Sequence, residues 1–223
     1  DENNTSSNEP KTAKIIMNDY TRYALFPDGS LFAWGSNQYG LLGSGSDAVN
    51  SEKPVYITEN IKEIFADDNA TYAVTNDNSL YAWGNNDYGQ TGTGNDAAYI
   101  NIPTKVNGIT GNIKQIYTGV YSSYALTEDN SIYAWGQNKN GQLGLGLDNV
   151  TVNTPEKVNG ITGNIKEFIT NRYSVYVLTY DNTLYLWGNN MDGQLGFSAE
   201  NPIINTPQKV ENIGAVKNVY TAQ

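Results

Sequence analysis

The sequence contains no cysteine and no histidine. Disulfides, thiolate nucleophiles, imidazole general bases, Ser-His-Asp triads and the common zinc sites are therefore excluded by inventory. Charge is sparse too: Asp, Glu, Lys and Arg make up 16% of the chain, against roughly 25% in an average soluble domain. Thirteen basic against 23 acidic residues give a net charge of -10. A nucleic-acid binder needs a concentrated basic stripe to displace counterions from phosphate, so DNA and RNA are poor partners. No apolar run reaches the roughly 18 residues of a membrane-spanning helix, and no charged-then-apolar leader is present. Neither membrane insertion nor an uncleaved signal peptide is expected, although a signal removed before residue 1 stays compatible with the sequence.

The chain is rich in tyrosine, with 17, and in glycine, with 22, and carries four tryptophans across its 223 residues. This composition suits aromatic-rich strands joined by tight turns. Trp34, Trp83, Trp135 and Trp187 are spaced by 49, 52 and 52 residues. Aligned on them, L-F-A-W-G, L-Y-A-W-G, I-Y-A-W-G and L-Y-L-W-G superpose, and other registers follow. Tyr23, Tyr72, Tyr124 and Tyr176 lie upstream; Gly40, Gly89, Gly141 and Gly193, then Gly43, Gly92, Gly144 and Gly196, lie downstream; Pro54, Pro103, Pro155 and Pro207 close each unit. A fixed period of about 50 residues marks a repeat architecture.

Each unit reads as four short strands; in the second these are Ile61 to Ala66, Tyr72 to Thr75, Leu80 to Trp83 and a segment around Pro103 to Val106. Asp28-Gly29, and the Asp-Asn pairs beginning at Asp77, Asp129 and Asp181, read as two-residue hairpin turns between the second and third strands. The proline that opens the last strand cannot donate a ladder hydrogen bond and places that strand at a sheet edge. No 3.6-residue apolar period persists, so the fold class is all-β. A four-stranded unit of this length cannot bury both faces alone, and radial stacking into a β-propeller solves the problem, with each Trp expected between blades.

WD-type blades end in Trp-Asp and kelch blades carry Gly-Gly; here every Trp precedes Gly and no Gly-Gly pair occurs. The pattern W-G-x-N-x-x-G-x-x-G-x-G, at Trp34 to Gly45, Trp83 to Gly94 and Trp135 to Gly146, closely resembles the repeat of the regulator of chromosome condensation family, with the fourth copy departing at Ser198. The resemblance covers residues 14–223 and implies a ring of about seven blades. The chain supplies four, read as 14–60, 61–111, 112–163 and 164–214, plus the opening strand of a fifth, Ala215 to Tyr220, within 215–223. The expectation is a partial or open propeller that is a fragment of a longer chain or self-associates through its open blade edges. Residues 1–13 read as a polar, flexible leader.

Repeated residues are accounted for by architecture, so recognition is sought where blades differ at a common loop position. The connection between first and second strands reads N-D-Y-T-R, D-D-N-A-T, G-V-Y-S-S and N-R-Y-S-V, placing Tyr20, Asn69, Tyr121 and Tyr173 in equivalent positions. More distantly, the architecture is similar to that of propeller-type β-lactamase inhibitory proteins. In those proteins aromatics of this connection form the partner-binding face, which implies a protein-binding role for Tyr20, Tyr121 and Tyr173, with Asp68, Asn69 and Arg172 beside them. Tyr and Arg are enriched at binding hot spots, although Tyr also simply covers blade ends. The histidine usual one residue further on in the family is replaced by Thr21, Ala70, Ser122 and Ser174, so any role needing imidazole is lost.

Asp28, Asp77, Asp129 and Asp181 are explained by their hairpins. Asp47, Asp96 and Asp148 lack the spacing of a calcium loop, and the G-x-x-G-x-G runs lack the Lys-Ser/Thr pair and helix of a phosphate loop. No catalysis, metal or cofactor is expected. The leading expectation is a non-enzymatic module presenting variable loops to a protein partner, in an exported or cell-surface bacterial protein. The competing readings are the family's guanine-nucleotide exchange on a small GTPase, and carbohydrate or cell-wall binding by exposed Tyr and Asn.

Overall fold

The computed structural model describes residues 12–148, 150–211 and 213–220. Most of the expected 1–13 leader therefore lies outside the described residues. The first sheet comprises β1 (Lys14–Met17), β2 (Thr21–Leu25), β3 (Leu31–Ser36) and β4 (Asn50–Thr58). The second comprises β5 (Ile61–Ala66), β6 (Ala70–Thr75), β7 (Leu80–Asn85) and β8 (Tyr99–Val106). The third holds β9 (Ile113–Thr118), β10 (Ser122–Thr127), β11 (Ile132–Gln137) and β12 (Thr151–Val158), and the fourth β13 (Ile165–Thr170), β14 (Ser174–Thr179), β15 (Leu184–Asn189) and β16 (Ile203–Lys209). Every sheet is an antiparallel meander in chain order. First strands of neighbouring sheets lie against each other, β1 on β5 and β9 on β13, so they form the inner edge of the fan and the fourth strands its rim. The only helical element among the described residues is a 3₁₀ turn, Gln38–Gly40, and no helix is long and apolar enough to cross a membrane.

The rim prolines lie inside the fourth strands rather than opening them. In the second blade the register jumps from Ala82↔Thr104 to Gly84↔Ile100, leaving residues 101–103 bulged opposite Trp83. A proline fits there because a bulge needs no ladder donor. The hairpins are also longer than two residues. Between β6 and β7 the chain closes through Thr75 N–H to the Ser79 carbonyl at 3.0 Å, with Asn78 left-handed at φ 61°. Asp77 is spent there, accepting from the Thr75 hydroxyl, a bond that together with the Ser79 amide holds its carboxyl below the ordinary Asp range.

Trp83, Trp135 and Trp187 are fully buried between consecutive blades. Burying about 200 Å² of indole contributes about 5 kcal/mol gross at ~25 cal/mol/Å². Trp34 departs from the expected set and is only half-buried, because no described blade precedes the first. Ala215–Tyr220, expected to be a strand, forms none. The segment runs beside β13, where the Lys166 ammonium donates to the Lys217 carbonyl and Val219 N–H donates to the Glu167 carboxylate at 3.0 Å. It thus occupies the place of a fifth blade's inner strand, but it has no described second strand with which to form a ladder.

Candidate partner-binding face

The loops joining first to second strands and third to fourth strands emerge at the same end of each sheet. They abut, as when Ser36 N–H donates to the Tyr20 carbonyl at 3.0 Å. Three of the four first-to-second loops are shaped by one side chain apiece. The Asn18 amide oxygen accepts from the N–H groups of Tyr20 and Thr21 at 2.9 and 2.6 Å. Asp67 does the same for Asn69 and Ala70 at 2.6 and 2.8 Å, and Asn171 for Tyr173 and Ser174 at 3.0 and 2.8 Å. These Asx turns fix the residue displayed at the tip, which is the position the sequence singles out. The third loop has Gly119 instead and no such bond is available to it. Adjacent loops are also tied together: the Asn18 amide donates to the Asp67 carbonyl at 2.6 Å, and Asp19 N–H to the Asp68 carboxylate at 3.0 Å.

Asp67 sits among these bonds with little water. Desolvation pushes its carboxyl above the ordinary Asp value, opposed by hydrogen bonds from Ala70 N–H, the Thr118 side chain and Asn69 N–H. Around it the loops of blades two to four frame a cleft of about 310 Å³ that brings together Asp68, Asn69 and Arg172 with Thr118 and Gly119. Tyr173 stands at its side, 38% exposed, with the Arg172 guanidinium 5.6 Å above its ring. Tyr121 is half-buried and packs against Tyr88, ring centroids 4.7 Å apart. Tyr20 is 58% exposed but belongs to the first blade, away from this cleft's lining.

The same end of the molecule exposes Tyr39, Tyr88, Tyr99 and Met191, which the first-to-second loops do not reveal. For Tyr39, Tyr88 and Met191 the signal is a second variable pair, between the Asn of W-G-x-N and the following Gly: Gln38-Tyr39, Asp87-Tyr88, Lys139-Asn140 and Met191-Asp192; Tyr99 opens β8. Asp19, Asp47, Asp68 and Asp87 are exposed among them, so the face combines aromatic surface with negative charge. Among the described residues, no group of three or more His, Cys, Asp or Glu is placed to hold a metal ion.

Comparison with known proteins places this geometry. The regulator of chromosome condensation (RCC1) repeat model matches residues 28–74, 77–126, 129–171 and 181–222. The mouse probable E3 ubiquitin-protein ligase HERC4 is 36% identical over 224 residues, 95% of this chain and 21% of that protein. An RCC1 repeat-containing protein of Dictyostelium discoideum is 31% identical over 98% of this chain and 48% of its own length. The chain thus spans between a fifth and a half of these relatives. Prp20p from Saccharomyces cerevisiae, solved in a study of its binding properties to Gsp1p and histones, superposes with a TM-score of 0.75 at 20% identity, over 92% of this chain and 52% of that one. These relatives are eukaryotic, and they lend no support to the expectation of a bacterial exported protein. With four matched repeats on four four-stranded blades, the chain belongs to the regulator of chromosome condensation (RCC1) repeat family.

Proposed function

We propose that the chain is a non-enzymatic protein-binding module that engages its partner through the loop face of blades one to four. The observation that carries this reading is the display of Tyr20, Tyr173 and Arg172 on loops whose tips are fixed by Asx turns and whose bases are locked to a buried scaffold. Rigid, amphipathic side chains with little conformational entropy left to lose are the usual anchors of protein interfaces. The acidic surroundings favour a partner with a basic contact surface, which would bind faster at low salt.

The test is a photo-crosslinker placed at Tyr173 to identify the partner, followed by affinity measurement with Tyr121 and Tyr173 replaced together by alanine. A loss of at least about tenfold is expected. Alanine at Tyr180, 69% exposed on a hairpin at the opposite end, serves as control. Equal affinity for the double variant and the parent refutes the proposed face.

A second reading, nucleotide exchange on a small GTPase, draws support from the fold shared with Prp20p, a protein solved in connection with Gsp1p. No residue of this chain carries it. Stimulated nucleotide release from a GTPase panel would favour it over simple binding.

A further inference from the structure

Between the third-to-fourth loops of the first two blades lies a cleft of about 480 Å³, within the ~300–1,000 Å³ range of small-ligand sites. Its walls are Tyr39, Val49, Ala98 and Tyr99, and the carboxylates of Asp47 and Asp87 stand in the same lining. No basic residue lines it. The loop that shapes it is rigid: the Asn37 amide donates to the Ser46 and Ala48 carbonyls at 2.8 Å each and accepts from Leu42 N–H at 3.0 Å.

The repeat supplies an internal comparison. At the second joint, Asn153 donates its amide to Asp96 at 3.2 Å, and at the third Asn205 donates to Asp148 at 2.7 Å. The equivalent pair at the first joint is Asp47 and Asn101, and there the Asp47 carboxylate makes no hydrogen bond or ion pair among the described residues. The Asp87 carboxylate likewise makes no hydrogen bond or ion pair among the described residues. Two exposed acids and two aromatic rings therefore converge where the other joints close the corresponding acid off.

We infer that this cleft receives a single cationic side chain, arginine or lysine, of a bound peptide segment. The inference rests on the protein-binding reading and names the chemistry of one contact within it. A guanidinium or ammonium group lying over a tyrosine face gains cation–π attraction while its charge meets carboxylate, and its aliphatic stem covers Val49 and Ala98. Anions are repelled by Asp47 and Asp87. A hard divalent cation would want six or more oxygen ligands, which an aromatic and aliphatic lining does not offer.

The test is a titration of the isotope-labelled full chain, followed by NMR, with a short peptide bearing a central arginine between leucines. The same peptide with neutral citrulline, and spermidine, are run beside it. The amides of Tyr39, Val49 and Tyr99 should shift with the arginine peptide. Citrulline, Asp47→Asn or Asp87→Asn should each weaken binding about fivefold, the effect of losing one charge contact. Asp96→Asn, altering the acid already tied to Asn153, should leave affinity unchanged. These exposed, near-isosteric changes keep the blade core, which circular dichroism verifies. Equal binding of citrulline, shifts centred elsewhere, or equal weakening by Asp96→Asn overturns the inference, as does Asp-dependent binding of spermidine without peptide binding. The broader reading fails separately, through unchanged partner affinity in the Tyr121 and Tyr173 double variant.

Discussion

The Trp83 indole N–H donates to the Leu41 carbonyl at 2.9 Å, and the Tyr23 hydroxyl of the first blade donates to the same oxygen. Trp135 and Tyr72 share the Gln90 carbonyl in this way, and Trp187 and Tyr124 the Gln142 carbonyl at 2.8 Å each. A carbonyl has two lone pairs, and each joint engages its oxygen from within one blade and from the next, the Ser123 hydroxyl adding a third donor at Gln90 at 3.1 Å. Trp135→Phe keeps most of the aromatic area but removes one donor, and about 1–2 kcal/mol of stability should go with it. Trp135→Ala adds a cavity and should cost about 3–5 kcal/mol. Trp34→Phe, at a half-buried position with no such acceptor among the described residues, should stay within about 0.5 kcal/mol of the parent. Urea midpoints followed by circular dichroism check the series, and an equal loss at Trp34 would remove the joint as its explanation.

Gly92 and Gly196 hold the same place in the second and fourth repeats and nearly the same backbone, φ 72° and 79°. A Cβ at Gly92 would lie 2.7 Å from the Trp135 indole nitrogen, whereas one at Gly196 meets nothing within 4 Å. Gly196→Ala should therefore cost only the left-handed penalty of about 1–2 kcal/mol. Gly92→Ala must also push the indole off its carbonyl, so its measured destabilisation by chemical denaturation should exceed the Gly196 value by at least about 1 kcal/mol. Identical losses would mean that backbone conformation alone keeps these glycines.

The fold was legible because each blade joint is the same contact made again, so Trp, Tyr, Gly and Pro recur in register. Trp34 and Ala215–Tyr220 break the expectation for a spatial reason: their environment depends on a neighbouring blade, and the spacing is unchanged whether or not that neighbour is described. At the candidate face, Tyr20, Tyr121 and Tyr173 could be found by comparing one loop across blades. Tyr39, Tyr88 and Tyr99 needed the same comparison at the second loop or strand, and the cleft at Asp47 needed the knowledge that Asn153 and Asn205 quench its counterparts. That last fact is tertiary and leaves no mark in residue spacing.

The hydroxyls of Tyr23, Tyr72 and Tyr124 are buried in the joints, and desolvation raises each far above the ordinary tyrosine value of 10.0. A raised folded-state pKa means the native chain holds its phenolic proton where the unfolded chain has lost it. Stability is thus fully present below pH 10 and falls above it, by about 1.4 kcal/mol per group for each further pH unit. Three such groups should make the chain unfold cooperatively in mild alkali, with a late burst of tyrosinate absorbance coinciding with loss of the circular dichroism signal. Gradual ionisation of all tyrosines with the fold intact would show that the joints admit hydroxide or water.

Among the described residues the first and fourth blades have no outer neighbouring blade, only Ala215–Tyr220 along β13, and the residues on those two faces oppose the stacking of one copy's first blade on another's fourth. Across from Trp83, Trp135 and Trp187 stand Thr71, Ser123 and Val175, small enough to lie under the preceding blade's tyrosine; across from Trp34 stands Arg22. Thr71 and Ser123 meet the Tyr23 and Tyr72 hydroxyls at 2.8 and 2.6 Å, whereas Arg22 turns back to donate to the Asn18 carbonyl at 2.6 Å. A docked copy would bury that guanidinium against Tyr176, where Asn171 and Asn18 hold the place that Asp67 holds beside Tyr23 and Tyr72, so no carboxylate from this loop position would meet it, at a cost of several kcal/mol. On the other face, Leu186, already buried at 6% exposure, lies across from a half-buried Tyr176 where Ala33, Ala82 and Ala134 lie across from the other three tyrosines. The added bulk intrudes where the next indole would settle, for about 1–3 kcal/mol more. Light scattering should therefore give a monomer at micromolar concentration. Arg22→Thr combined with Leu186→Ala should restore the internal joint's chemistry and promote association. A parent chain that is already dimeric, or a double variant that is as monomeric as the parent, would show that these two side chains do not govern the open faces.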